Sequence, residues 1–146
     1  MTEMIFADTF YWVALLSPRD AFHSQAIAIT AKLGKTKIIT TDEVLSEVLN
    51  FLSDSGVRLR ERTVNTVRQL LSADSEKVTV LAQSHITFLG GLELYEQRLD
   101  KGYSLTDCIS MVSMKQIGVN QILTHDYHFT QEGFTILFSS DRLQKT

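Results

Sequence analysis

Four acidic residues stand where the neighbouring side chains leave a carboxylate hard to place. Asp8 closes the apolar run "MIFAD". Glu47, in "DEVLSEVLNFL", borders Val44 and Phe51 at the edge of a stripe made by Val44, Leu45, Val48, Leu49, Phe51 and Leu52. Asp107 lies in "GYSLTDCISM", where Leu105, Cys108, Ile109, Met111, Val112, Met114 and Ile117 wrap most of a helix circumference. At about 100° per residue it shares a narrow sector with Met111 and Met114. Asp126 follows the run "NQILT", in "THDYHF".

Each acid also has an ordinary structural use. Asp8 suits the N-cap of a helix over "TFYWVALL", Asp126 suits a turn, and Glu47 suits a helix edge from which it reaches water. Ser104 with Asp107 three residues on resembles a capping box. Yet a charge in apolar surroundings is costly unless paired or bound to metal, and no Lys or Arg stands at 103, 104, 110 or 111 to pair with Asp107. Gathered in one cleft, four carboxylates would repel by several kcal/mol, roughly, at an effective dielectric near 20. Cations would offset that repulsion, and an all-oxygen ligand set selects Mg²⁺ or Mn²⁺ over zinc.

Rival chemistries lack their residues. The chain has no G-x-G-x-x-G and no G-x-x-x-x-G-K-[ST], which removes the dinucleotide and P-loop readings. His23, His85, His125 and His128 show no H-E-x-x-H or Cys/His spacing, so no zinc site is expected. Cys108 has no base near it and reads as a small core residue.

These acids need elements to carry them. Five strand-like runs, at 4–8, 37–40, 77–83, 120–124 and 134–138, alternate with helical stretches, among them "DAFHSQAIAITAKLG" with Asp20 as its N-cap and "TDEVLSEVLNFLSDSG" ending on Gly56. That alternation predicts an α/β protein with a mostly parallel sheet. Ligands of such sheets bind beyond the carboxyl ends of the strands. Asp8 and Asp126 follow strand ends, Glu47 lies about two turns beyond the second strand, and Asp107 opens the helix before the fourth. The second and third strands are separated by more helix than one crossover needs, so a helical hairpin is expected over roughly 42–73.

The chain has 146 residues, 44% of them hydrophobic, a net charge of −3, one cysteine and one proline. Those values predict one domain, 1–146, with a core of its own. No run approaches a membrane span, "MTEMIFADTFYWVALL" lacks the basic start of a secretion signal, and a lone Cys suits a reducing compartment. A cytoplasmic protein is expected. A duplex-DNA binder would usually be basic, so an anionic substrate needs local arginines or a metal. Arg58, Arg60, Arg62 and Arg68, with Lys32, Lys35 and Lys37, either track a nucleic-acid backbone or decorate solvated surface. Tyr11, Trp12, Tyr127 and Phe129 lie near the expected cleft as base-stacking candidates, with core or subunit contact the alternative for Trp12 and Phe129. Aromatic and leucine residues on several sides of "DTFYWVALL" and "SHITFLGGLELYEQRL" predict a homodimer through the Trp12 helix and one helix from 84–118.

The strand ending in Asp8-Thr9, "DAFHSQA", "VLSEVLNFL", "GYSLTDCISM" and "ILTHDYHFTQEGFTIL" together resemble the PIN-domain nucleases, over about residues 4–138. The resemblance implies a Rossmann-like three-layer α/β fold with a parallel five-stranded sheet in the order 3-2-1-4-5. It implies a Mg²⁺- or Mn²⁺-dependent endoribonuclease in which Asp8, Glu47 and Asp107 match the three core acids and Asp126 the more variable fourth. Thr124 matches the hydroxyl residue before that fourth acid, and Thr9 the one after the first. Many single-domain bacterial members are VapC-like toxins, dimeric and silenced by a small antitoxin. This chain departs in its mildly acidic charge and its extended Arg58–Arg68 segment. Two other uses of the same acids stay open: an idle module of this fold that binds RNA or protein, and a metal-dependent phosphatase.

Overall fold

The computed structural model of the protein describes residues 3–72 and 75–138. The elements run β1 (Met4–Ala7), α1 (Thr9–Leu16), α2 (His23–Leu33), β2 (Lys37–Thr41), α3 (Asp42–Phe51), α4 (Val57–Leu71), β3 (Val78–Leu81), α5 (His85–Gln97), α6 (Leu105–Ile117), β4 (Gln121–Leu123), α7 (His128–Gln131) and β5 (Thr135–Ile136). The five strands form one parallel sheet in the order β3-β2-β1-β4-β5, flanked by helices.

The central strands are apolar on both faces, as helix cover on a parallel sheet requires. Ile5, Phe6 and Ala7 of β1, Ile38 and Ile39 of β2, and Ile122 and Leu123 of β4 are all buried. Thr40 and Thr41 are the buried polar residues of β2; the Thr40 hydroxyl donates to the Ala7 carbonyl at 2.9 Å, and the Thr41 hydroxyl accepts the Val44 N–H at 3.1 Å. Register sets the site. Phe6 pairs with Ile122 and Ala7 with Leu123, so Asp8 and Thr124, the next residues on adjacent strands, emerge side by side. β2 pairs with β1 on the other flank, with Phe6 opposite Ile39.

Element ends depart from the sequence reading in instructive ways. Asp20 does not cap α2: that helix starts at His23, and the Asp20 carboxylate accepts from the Phe22 N–H in a turn ahead of it. Gly56 does not end α3, which stops at Phe51; with φ of 100° it forms the N-cap position of α4 instead. Phe51 therefore leaves the apolar stripe and stands 65% exposed. β5 shrinks to two residues, and α7, a single turn, is an element that periodicity does not reveal. The end of the expected 42–73 segment lies outside the described residues.

The helix carrying Asp107 packs as its composition demands. Cys108, Ile109, Met111 and Met114 of α6 are buried, each large side chain contributing about 1.5–3 kcal/mol. Gly91 of α5 lets α6 come close, since a Cβ there would sit 2.4 Å from the Ile109 side chain and 3.1 Å from its backbone nitrogen. Trp12 of α1 is 4% exposed, its indole N–H donating to Thr40 at 3.4 Å. It belongs to the core of one chain, which removes it from any subunit contact. Tyr11 and Phe129 are buried as well, so neither offers a face to a base. Among the described residues no helix is long and apolar enough to cross a membrane.

Candidate metal centre

A cleft of about 420 Å³ opens beyond the carboxyl ends of the strands, lined by Asp8, Glu47, Asp107 and Asp126 together with Thr9, Asp20, Phe51, Thr124 and His125 among others. Each of the four acids arrives on a different segment: the β1–α1 junction, α3, the first turn of α6, and the loop after β4. Among the described residues no lysine or arginine lines this cleft.

Hydroxyl groups hold the acids in place. Asp8 stands at the N-cap position of α1 but makes no side-chain capping bond. Instead its Oδ2 accepts from the Thr124 hydroxyl at 2.9 Å. The same Thr124 oxygen accepts the Asp126 N–H at 3.2 Å, so one threonine couples two acids. Thr9 donates from its hydroxyl to Glu47 Oε1, which ties α1 to α3 and turns Glu47 toward the cleft. Asp107 completes the capping box, its Oδ2 accepting the Ser104 N–H at 3.1 Å while Ser104 Oγ accepts the Asp107 N–H at 3.0 Å. The capping use and the cleft use of Asp107 are therefore compatible, because its carboxylate is only 9% exposed and still borders the cavity.

Electrostatics report the crowding. Burial, then the charge of Asp107, pushes the Asp8 carboxyl up to about 7, against the pull of Thr124 and Thr9, with Glu47 adding to the rise. Asp107 is also raised, first by burial; the Ser104 backbone opposes this, and Asp126 and Glu47 add repulsion. Two neighbouring carboxyls that resist ionisation, with no basic side chain among the described residues lining the cleft, are the pattern expected of an acid cluster awaiting a positive partner. Burial pushes the Cys108 thiol up to about 11, with Asp107 adding to it, so that buried sulfur offers no thiolate nucleophile.

The donor set fits a divalent cation. Asp107, Asp126 and His128 each bring one ligand atom within 4.8 Å of the others. His128 is the member that sequence spacing does not single out. Its backbone N–H donates to Asp126 Oδ1 at 2.9 Å and its Nδ1 lies 3.2 Å from the same oxygen. The only sequence signal is the Asp-x-His step at 126–128, which becomes meaningful once α7 turns the imidazole back. Behind it, the Tyr103 ring lies 5.3 Å from the His128 ring, tilted by 60°, and its hydroxyl donates to Glu132 Oε2 at 3.0 Å. Burial pushes Glu132 up, but Arg98 at 2.8 Å, Tyr103 and Lys115 outweigh that and hold it below its ordinary value. This buried carboxylate thus braces α7 and, through Tyr103, the imidazole. The cleft wall holds aromatic side chains that the sequence reading does not assign: Phe10, which stacks on His125 at 5.7 Å, and Phe51.

A family model described as PIN domain matches residues 5–134. A crystal structure of Mycobacterium tuberculosis VapC20, described as a sarcin-ricin loop cleaving toxin, is similar with a TM-score of 0.79 and 26% identity, over 90% of this chain and 96% of that one. A crystal structure of FitAcB from Neisseria gonorrhoeae shares the fold, with a TM-score of 0.63 and 15% identity over 92% of this chain and 97% of that one. No curated protein sequence matches the chain.

Proposed function

The chain belongs to the PIN-domain family, and from that premise we propose that it is a metal-dependent endoribonuclease, the toxin of a toxin–antitoxin pair. The observation that carries this reading is the cleft itself: four carboxylates from four segments, two of them raised in pKa, with no lysine or arginine among the described residues that line it. The likeness to a toxin described as cleaving the sarcin-ricin loop supports RNA as the substrate class.

Asp8, Glu47, Asp107 and Asp126 would hold one or two Mg²⁺ or Mn²⁺ ions, with His128 beside Asp107 and Asp126. Such an ion lowers the pKa of a bound water and offsets charge building on the phosphate. The chain's own contribution is positioning. Thr124 occupies Asp8 Oδ2 and the Asp126 N–H, which orients both carboxylates without neutralising either. Thr9 does the same for Glu47. The Ser104 N–H engages Asp107 Oδ2, which directs the carboxylate along the start of α6. No side-chain nucleophile is required, which suits a cleft whose nearest thiol is buried and protonated.

The reading extends to partners. Phe88, Leu92 and Tyr95 share one side of α5 and are 41%, 46% and 42% exposed. An exposed apolar stripe of this kind supports a homodimer through α5. A small antitoxin protein is the second expected partner, and the cytoplasm the expected compartment. The test is incubation of purified protein with mixed RNA in Mg²⁺, in Mn²⁺ and in EDTA. Cleavage in either metal that EDTA abolishes supports the reading. Intact RNA under every condition, from folded protein freed of any co-purifying partner, contradicts it.

A further inference from the structure

Two of the four arginines of α4 gain a third partner only in three dimensions. Arg19, from the connection between α1 and α2, meets Arg58 and Arg62 around a groove of about 660 Å³. One acid, Asp54, shares that lining. None of the three guanidinium groups enters an ion pair among the described residues. Three positive groups against one negative is an inversion in a chain whose net charge is −3, and unpaired guanidinium groups gathered in a groove suit the phosphates of a polyanion. The groove also takes in the start of α4, whose Gly56 cap provides no side-chain acceptor.

This groove adjoins the acid cleft. Asp20, next in sequence to Arg19, lines the cleft, and so does Phe51, just before Asp54 at the end of α3. The two cavities are therefore lined from the same two stretches, 17–20 in the α1–α2 connection and 51–55 from the last residue of α3 onward. Phe51 stands at that seam, 65% exposed, where burial in a core offers no reason for a phenyl ring. An acidic cleft repels a nucleic-acid backbone, so a strand entering it needs positive footing outside it.

We propose that a single-stranded RNA leaves the acid cleft across Phe51, which stacks one base, and lays its phosphates in the groove of Arg19, Arg58 and Arg62. This placement rests on the ribonuclease reading above. The test is fluorescence anisotropy with a short labelled RNA in EDTA, at several salt concentrations. Arg19→Gln, Arg58→Gln and Arg62→Gln should each weaken binding several-fold and shrink the slope of log affinity against log salt by about 0.7. Phe51→Ala should weaken binding roughly tenfold and leave the slope unchanged. Arg68→Gln, on the same helix but outside the groove, should bind as wild type does. Arginine variants that match wild type in affinity and slope, or a wild type that binds no RNA, overturn the groove. Parallel cleavage with Mn²⁺ separates the two readings. Cleavage by wild type alongside unaltered variant affinity overturns the groove alone. Groove-dependent binding with no cleavage overturns the ribonuclease reading alone.

Discussion

Asp8 shows how one side chain carries a local signal and a global one. Locally it stands where a helix N-cap belongs, and sequence alone leaves that use open. The β1–β4 register puts the Thr124 hydroxyl against Asp8 Oδ2, and the carboxylate makes no side-chain capping bond to α1. No short-range pattern shows that pairing of residues 116 apart. His128 is the opposite case: its role depends on a one-turn helix too short for any periodicity to reveal. The raised Asp8 carboxyl makes a prediction about pH. In the folded chain it keeps its proton up to about 7, whereas its ordinary value is 3.8. Between those values the folded state binds more protons than the unfolded one, so this group's contribution to stability falls as pH rises. In EDTA, Asp8→Asn should therefore be more stable than wild type at pH 7.5, by a few kcal/mol at most, roughly, and the gap should close toward pH 4. Urea melts across that range check it. A pH-independent difference would contradict the buried, crowded carboxyl.

At the scale of elements, the strand and helix order was legible because the parallel strands are continuous apolar runs between helical patterns. The boundaries were less so. Gly56 reads as a helix stop and is in fact the start of the next helix, since a glycine at positive φ serves either side of a turn. Phe51 keeps the right phase for the stripe, but α3 ends there and the ring stands 65% exposed. The pair Gly90-Gly91 looks like a weakness in α5, yet it is the contact that admits α6. Gly91→Ala should push the helices apart, because its Cβ would meet Ile109 backbone atoms at 3.1 and 3.2 Å as well as the side chain. A loss of about 1–3 kcal/mol is expected, read as a lowered urea midpoint. Since α6 carries Asp107, the same variant should also weaken divalent-ion binding. Wild-type stability in Gly91→Ala would show that the helices are not in close register.

For the whole molecule, the sequence signals of assembly pointed to two helices, and only one stays available. Trp12 is spent inside the chain, where its indole N–H donates to Thr40 of β2. The α5 stripe remains, and Leu92→Asp is the informative change because the residue is 46% exposed within one chain. Light scattering should give twice the chain mass for wild type and a single chain mass for this variant, with an unchanged circular-dichroism spectrum. Wild type that is monomeric at micromolar concentration would contradict assembly through α5. The acids themselves were legible in type and position, because each interrupts an apolar pattern. Their convergence required the sheet order, and the purpose proposed for them is to hold a cation. Calorimetric titration of Mn²⁺ into the metal-free protein tests that purpose most directly, with Asp107→Asn beside wild type. Saturable binding by wild type, at least tenfold weaker in Asp107→Asn, is the predicted result. No binding by folded wild type, or equal affinity in the two proteins, would contradict the claim that the four carboxylates gather around a metal ion.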